Sequence, residues 1–302
     1  MAVSAGTILV TGASGNVGRE VVRALRSKNA RVRAADRDPA RAQRLFGPDV
    51  ECVRLDFRDP STFSAARGAD ALFLLRPPAI ADVDKTLLPF LDQARRLGVR
   101  QVVFLSVAGA EKNRLVPHHA VEQHLARSEG WTVLRPGFFA QNFADAYRRD
   151  IVEDGRVYVP AGRGRVAFVD VRDLAELAAI IFDSPAGHER RGYTLTGGEA
   201  VDFASAASSL SAVLGRPIRY QPASIPGYVR HLRRRGMPWA QVFVQTILHA
   251  GLRFGQAERV DPTLGQLLGR RPRTLPEYLH DHRDLWVPPP QCGDRSRPRD
   301  LD

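Results

Sequence analysis

Six short apolar runs punctuate the first 135 residues, and each is followed by a turn and a helix-length segment with apolar residues at three and four spacing. The runs are TILVT (7–11), RVRAA (31–35), VECVRL (50–55), ALFLL (71–75), QVVFL (101–105) and TVLR (132–135). They are apolar at successive positions, not at every second one, which is the pattern of strands covered on both faces. Strands alternating with helices therefore predict an α/β chain built on a doubly wound parallel sheet. Right-handed crossovers place the ligand crevice of such a sheet beyond the carboxyl ends of its strands.

The first of these junctions carries the sharpest motif. In VTGASGNVG the glycines Gly12, Gly15 and Gly18 separate the first strand from the first helix. The first glycine suits a tight turn, the second a backbone that approaches a pyrophosphate, and the third a helix packed closely on its strand. Ser14, Asn16 and Val17 complete the loop and the helix start, where free amides and a partial positive charge favour an anion. The second strand ends at Asp36, 24 residues after Gly12, near the position where an acidic residue accepts from the adenosine ribose hydroxyls of NAD. Arg37 follows, and a guanidinium there suits the 2′-phosphate of NADP. The two residues point opposite ways; a carboxylate beside a phosphate is costly, so NADH is slightly favoured within an NAD(P)H reading. Asp56, with Phe57 beside it, follows the third strand and is placed to meet the adenine or to cap its own loop. Leu75, Arg76 and Pro77, at the end of the fourth strand, abut the same crevice, and Arg76 is a candidate for a phosphate or an acidic substrate.

A chain of 302 residues can bury a substantial core. The two cysteines, Cys52 and Cys292, form neither a disulfide framework nor a metal motif, so a cytoplasmic setting is expected. The start lacks a basic region before its short apolar run, and no segment offers about 18 uninterrupted apolar residues, so neither a leader nor a membrane partner is expected. The net charge of +11 raises the possibility of a polyanion surface. Of 44 basic residues only Lys28, Lys85 and Lys112 are lysine, and the arginines are scattered, with local groups at 230–235 and 269–273. Solvated faces therefore account for the charge better than nucleic acid does.

Beyond Pro136 the spacing loosens. The pattern predicts helices over 139–150, 172–184 and 203–214, strands near 165–171, 193–196 and 217–221, and helices on to about Leu285. The Pro-rich, charged stretch 287–302 is expected to be a disordered tail.

With TGASGNVG, LDFRDPSTF (55–63), LFLLRPP (72–78), FLSVAGA (104–110), TVLRPGFFAQN (132–142) and FVDVRDLAELAA (168–179) quoted, the chain resembles the NmrA-like family of atypical short-chain dehydrogenase/reductases. YTLTGGEAVDF, LGRPIRY and LLGRRPRTLPEYL extend the resemblance to about Trp286. It implies a Rossmann domain over 1–150 and a smaller α+β substrate lobe over 151–286 that closes on a cleft, with a further sheet strand drawn from the second part. It also implies reduction of a conjugated small molecule, quinone-, imine- or enone-like, by NAD(P)H in a monomer or homodimer. The family also holds dinucleotide-sensing regulators without turnover and non-redox tailoring enzymes, and fold alone does not choose among them.

In standard members a Tyr and a Lys four residues later follow the fifth strand, with a Ser at its end. Aligned on Glu122 and Leu125, those positions here hold Arg114 and His118, and Ser106 keeps the Ser place. The resemblance thus leaves His118 and Ser106 as catalytic candidates without a tyrosine acid. The crowding in HHAVEQH (118–124) suggests a metal, but His119 and His124 are about 140° apart on a helix and His118 and His124 about 240°, which excludes a helical metal pair. His118 and Glu122 share one face, and their pairing would raise the His pKa; a plain polar first turn is the other reading. His119 is expected to pack or face solvent, and His124 to be exposed. Pro136 and Phe138 lie toward the nicotinamide, and Phe139, Gln141 and Asn142 toward the substrate, although both phenylalanines also suit a core. Tyr147 and Tyr158 are further candidates for the pocket.

Overall fold

The six apolar runs fold as β1 (Thr7–Thr11), β2 (Val32–Asp36), β3 (Glu51–Arg54), β4 (Ala69–Leu75), β5 (Gln101–Leu105) and β6 (Trp131–Pro136). The computed structural model describes residues 6–287. After β7 (Arg156–Val159) and β8 (Arg165–Val166), β9 (Arg191–Leu195) adds to the main sheet beside β6. The sheet order is β3-β2-β1-β4-β5-β6-β9, with every neighbouring pair parallel. Strand order reverses between β1 and β4, so the crevice opens at their carboxyl ends.

Both faces are covered, as the continuous apolar runs require. α1 (Asn16–Ser27) and α2 (Pro39–Phe46) lie on one face together with α6 (Val171–Asp183), and they enclose Ile8, Val10, Phe73, Val103 and Leu105. α3 (Leu87–Arg96) and α4 (Pro117–Leu125) cover the other, packing on Leu9, Leu72, Leu74, Val102 and Phe104. Adjacent residues of β1, β4 and β5 thus enter opposite cores, and each large apolar side chain so buried stabilises the fold by roughly 1.5–3 kcal/mol.

A third core serves the C-terminal elements. α10 (Thr263–Leu268) packs through Leu264 on the core beneath α1 and α6, whereas α5 (Arg148–Asp154), α7 (Phe203–Leu214), α8 (Ile225–Arg234), α9 (Trp239–Gly251) and α11 (Leu275–Asp281) gather with two short sheets. In these β10 (Val201–Asp202) pairs antiparallel with β8, and β11 (Arg219–Pro222) parallel with β7. Phe143, Tyr147, Phe168, Phe203, Tyr278 and Trp286 fill this core.

Two expectations change. The helix over 139–150 is a 3₁₀ turn at Ala140–Phe143 followed, after a turn, by α5. Its four-residue spacing of Phe143, Tyr147 and Ile151 is real core patterning, but the Phe138 carbonyl accepts from the Val169 amide and the Asn142 amide turns to the Phe139 carbonyl, so the segment tightens into a 3₁₀ turn. The strand over 165–171 pairs only at Arg165–Val166, because Val169 turns to bridge Phe139. The tail expectation lies, from residue 288 onward, outside the described residues.

Candidate functional site

At the β1–α1 junction Gly12 has φ +58°, and a Cβ there would meet the Leu75 side chain at 2.9 Å. A Cβ on Gly18 would lie 2.2 Å from the Gly12 carbonyl oxygen, so the helix packs against the turn at a distance only glycine permits. α1 starts at Asn16 with no side-chain cap and no acidic residue in its first turn, so its amides and dipole are left to an external anion. Thr11 ties the loop base to β4: the Leu75 amide donates to its Oγ1 at 3.0 Å, and its hydroxyl donates to the Phe73 carbonyl. These features fit a dinucleotide pyrophosphate.

Asp36 stands over this loop. Its Oδ2 accepts from the Ser14 amide (3.1 Å) and hydroxyl (2.6 Å), and its Oδ1 accepts from the Asp38 amide. Arg37 is exposed, and among the described residues its side chain has no ion pair. Asp56 accepts from the Arg58 amide, a loop-capping contact, while Phe57 is buried edge-on against Phe90, 5.2 Å between centroids. Asn16 donates to Asp145, joining the glycine loop to the segment after β6. Asn16, Gln141, Asp145, Arg172 and Tyr278 line a cleft of about 260 Å³.

Across the crevice, Pro117 occupies the first turn of α4 and sets His118 at its start, buried at 7 % exposure. Its partner is not Glu122. His118 Nε2 faces Arg76 Nε at 3.3 Å, and burial, then the Arg76 charge, lower its pKa to about 4. The expected rise is thereby reversed in sign. Glu122, one turn on, is engaged by other partners: Arg135 donates to both its oxygens at 2.7–3.1 Å, and the Ser106 hydroxyl donates to Oε1 at 2.5 Å. Ser106, 2 % exposed, therefore directs its proton to a carboxylate. Arg135, which lies in β6 and reaches across to Glu122 on α4, has no distinguishing signal in the sequence beyond a charged residue in an otherwise apolar run.

The other histidines separate. His119 Nδ1 lies 2.8 Å from the Ala110 carbonyl. His124 is half-buried and pairs with Asp92 at 2.8 Å, contrary to its expected exposure, because α3 packs alongside α4. Among the described residues no cluster of ligands could hold a metal.

Past β6, Pro136 is buried; its carbonyl accepts from the Ala108 amide. Phe138 is half-buried, edge-on to His249 at 5.7 Å, and Phe139 packs on the core beneath α1 and α6. Gln141 is buried; its amide group donates to Asp170 and accepts from the Val171 amide, clamping the start of α6. Asn142 is half-buried, and its backbone carbonyl accepts from the Tyr147 amide. Tyr147 lies inside the C-terminal core, hydrogen-bonded to His249 Nε2 at 2.7 Å, while Tyr158 stacks edge-on with His231. Arg76 Nη1 donates to the carbonyls of Pro77 and Ile80.

In the 269–273 group Arg270 and Arg273 are engaged by Asp173 and Glu176 and Arg271 by Glu277, whereas in the 230–235 group, among the described residues, only Arg235 has carboxylate partners, Asp150, Glu153 and Asp154. Among the described residues no helix is long and apolar enough to cross a membrane.

A parallel sheet with a glycine cradle at its switch point and an acidic residue closing the second strand defines a dinucleotide-binding α/β protein. The chain belongs to the NmrA-like family, whose model matches residues 4–279. It is 32% identical over 281 residues to an NAD(P)H azoreductase of Xenophilus azovorans, covering 91% of this chain and 97% of that one. Its fold is similar to that of the Citrobacter triphenylmethane reductase complexed with NADP(H), with TM-score 0.79 and 25% identity over 91% of this chain and 99% of that one. The NADPH-dependent quinone oxidoreductase of Escherichia coli complexed with NADPH gives TM-score 0.79 and 27% identity, again over 91% and 99%.

Proposed function

We propose that this chain is an NAD(P)H-dependent oxidoreductase that reduces a conjugated small molecule of quinone, imine or enone type. The observation that carries this reading is the joint placement, at one sheet edge, of an uncapped glycine cradle and a buried neutral histidine. The similarity to azo-dye, triphenylmethane-dye and quinone reductases supports the same class.

When bound, a dihydronicotinamide supplies hydride; the protein's part is to bind, orient and exclude water. Gly12, Gly15 and Gly18 with the α1 amides would hold the pyrophosphate, and Asp36 the adenosine ribose. The Asp36 carboxyl group already accepts from the Ser14 amide and hydroxyl at the end of β2, and we read its placement there as a preference for NADH, with the exposed Arg37 leaving room for NADPH. Phe138 and Asn142 would border the reacting end. The positions of the usual Tyr and Lys are held by Arg114 and His118, so no strong acid is at hand. That restricts the substrate to acceptors whose reduced form takes its proton from water. A cytoplasmic setting accords with the free thiol of Cys52.

Following NADH and NADPH oxidation against a panel of quinones, azo dyes and enones tests the proposal. Turnover on at least one conjugated acceptor is expected, and cofactor binding without any turnover would leave a dinucleotide sensor instead.

A further inference from the structure

The proposed reductase reading leaves open what steadies the charge that develops on the acceptor once hydride has arrived. A guanidinium has donors only and stays protonated, so the His118 nitrogen that faces Arg76 Nε at 3.3 Å must present a lone pair. Arg76 is not free to turn away, because its Nη1 donates to the carbonyls of Pro77 and Ile80. The ring proton of His118 is thereby confined to Nδ1. That nitrogen is buried and, among the described residues, has no hydrogen-bond partner. A buried N–H without a partner is costly in a folded protein, and the ring sits at the start of α4 against Phe104 of β5, so a ligand oxygen that reached Nδ1 would relieve that cost.

We propose, resting on the reductase reading, that Arg76 is a positioning residue that fixes His118 as the neutral Nδ1–H tautomer. The Nδ1–H then donates a hydrogen bond to the oxygen or nitrogen of the conjugated acceptor. In the step itself, hydride from the dihydronicotinamide forms a bond to the electrophilic end of the acceptor, whose π electrons move onto that oxygen or nitrogen. The nicotinamide is oxidised and the acceptor reduced by two electrons. His118 keeps its proton and stabilises the anion, which water then protonates. A neutral imidazole is the fitting donor, since a second ring proton would point at Arg76. The charged groups around the ring are consistent with this: Arg76 approaches from the loop after β4, Phe104 of β5 brings no charge, and Glu122 on α4 is held by Arg135 and Ser106.

The test combines a spectroscopic and a kinetic measurement on the full chain. Long-range ¹H–¹⁵N correlation spectra should show His118 as the Nδ1–H tautomer between about pH 5 and about pH 8. Addition of a naphthoquinone with oxidised NAD should shift the Nδ1 proton resonance. In Arg76→Gln the tautomer should become mixed, kcat should fall about tenfold to a hundredfold with KM for the cofactor unchanged, and an inflection should enter kcat/KM near the ordinary histidine pKa. Arg76→Lys, which keeps a charged donor, should recover part of kcat. An Nε2–H tautomer in the wild type, an unmoved Nδ1 resonance, or an unchanged tautomer and pH profile in Arg76→Gln would each overturn the proposal. Absence of turnover in the wild type with all acceptors would instead sink the reductase reading, and the spectra would still decide the tautomer.

Discussion

Glu122 grips Arg135 through both carboxylate oxygens while taking the Ser106 hydroxyl at 2.5 Å, so three elements of the sheet edge are locked by one buried anion. Ser106 directly follows β5, β6 carries Arg135, and α4 supplies Glu122; Glu122 is only 6 % exposed. The ion pair fixes how far α4 stands from the strand ends, and with it the height of His118 above the crevice.

Removing one partner of such a pair leaves the other charge buried. Glu122→Ala should therefore destabilise the fold by about 3–5 kcal/mol. Urea unfolding measures this, and a loss below about 1 kcal/mol would mean that water reaches Arg135 and the brace is not structural.

Acid should weaken the protein through two buried histidines. Burial holds both His118 and His249 at a pKa of about 4. Because the folded values lie below the unfolded one, unfolded chains take up protons first; the stabilising difference is complete above about pH 6.5 and is lost as pH falls toward about 4. Each group contributes on the order of 3 kcal/mol at most. Unfolding free energies measured from neutral pH to about pH 4.5 should fall, with a shallower fall in His249→Gln; a flat profile would contradict the neutral burial of both rings.

The cradle should be intolerant of a single methyl group. In Gly18→Ala the new Cβ would meet the Gly12 carbonyl at 2.2 Å, and neither backbone can yield without moving the loop. A displacement near 1 Å of a positioning group costs about a hundredfold in turnover, and cofactor affinity measured by calorimetry should fall with it. Near-normal affinity in a folded Gly18→Ala variant would place the dinucleotide elsewhere.

Asp36 should govern cofactor choice. Asp36→Ala removes a carboxylate from the neighbourhood of the 2′ position while Arg37 stays, so kcat/KM for NADPH relative to NADH should rise about tenfold or more. An unaltered ratio would show that Asp36 only braces Ser14.

Six strands of the main sheet and the glycine turn were legible because they rest on short-range rules: continuous apolar runs, and glycines needed for a positive φ at Gly12 and for close packing at Gly18. The segment after Gly137 was less so. Phe143, Tyr147 and Ile151 carry helical spacing, yet contacts with Val169 decide its shape, and no local pattern reports a contact with a residue so far along the chain.

The chain's own order thus determined the sheet, the position of its crevice and the presence of His118 at the start of a helix. Which neighbour that histidine has was decided by tertiary structure alone. Helical spacing nominated Glu122, four residues away, but Arg76, 42 residues distant, took the ring, while Arg135 and Ser106, 13 and 16 residues from Glu122, took the carboxylate. Burial lowers the pKa of that ring first and the Arg76 charge adds to it, so the direction of the shift followed from how α4 packs against the loop after β4, which no helical spacing reports.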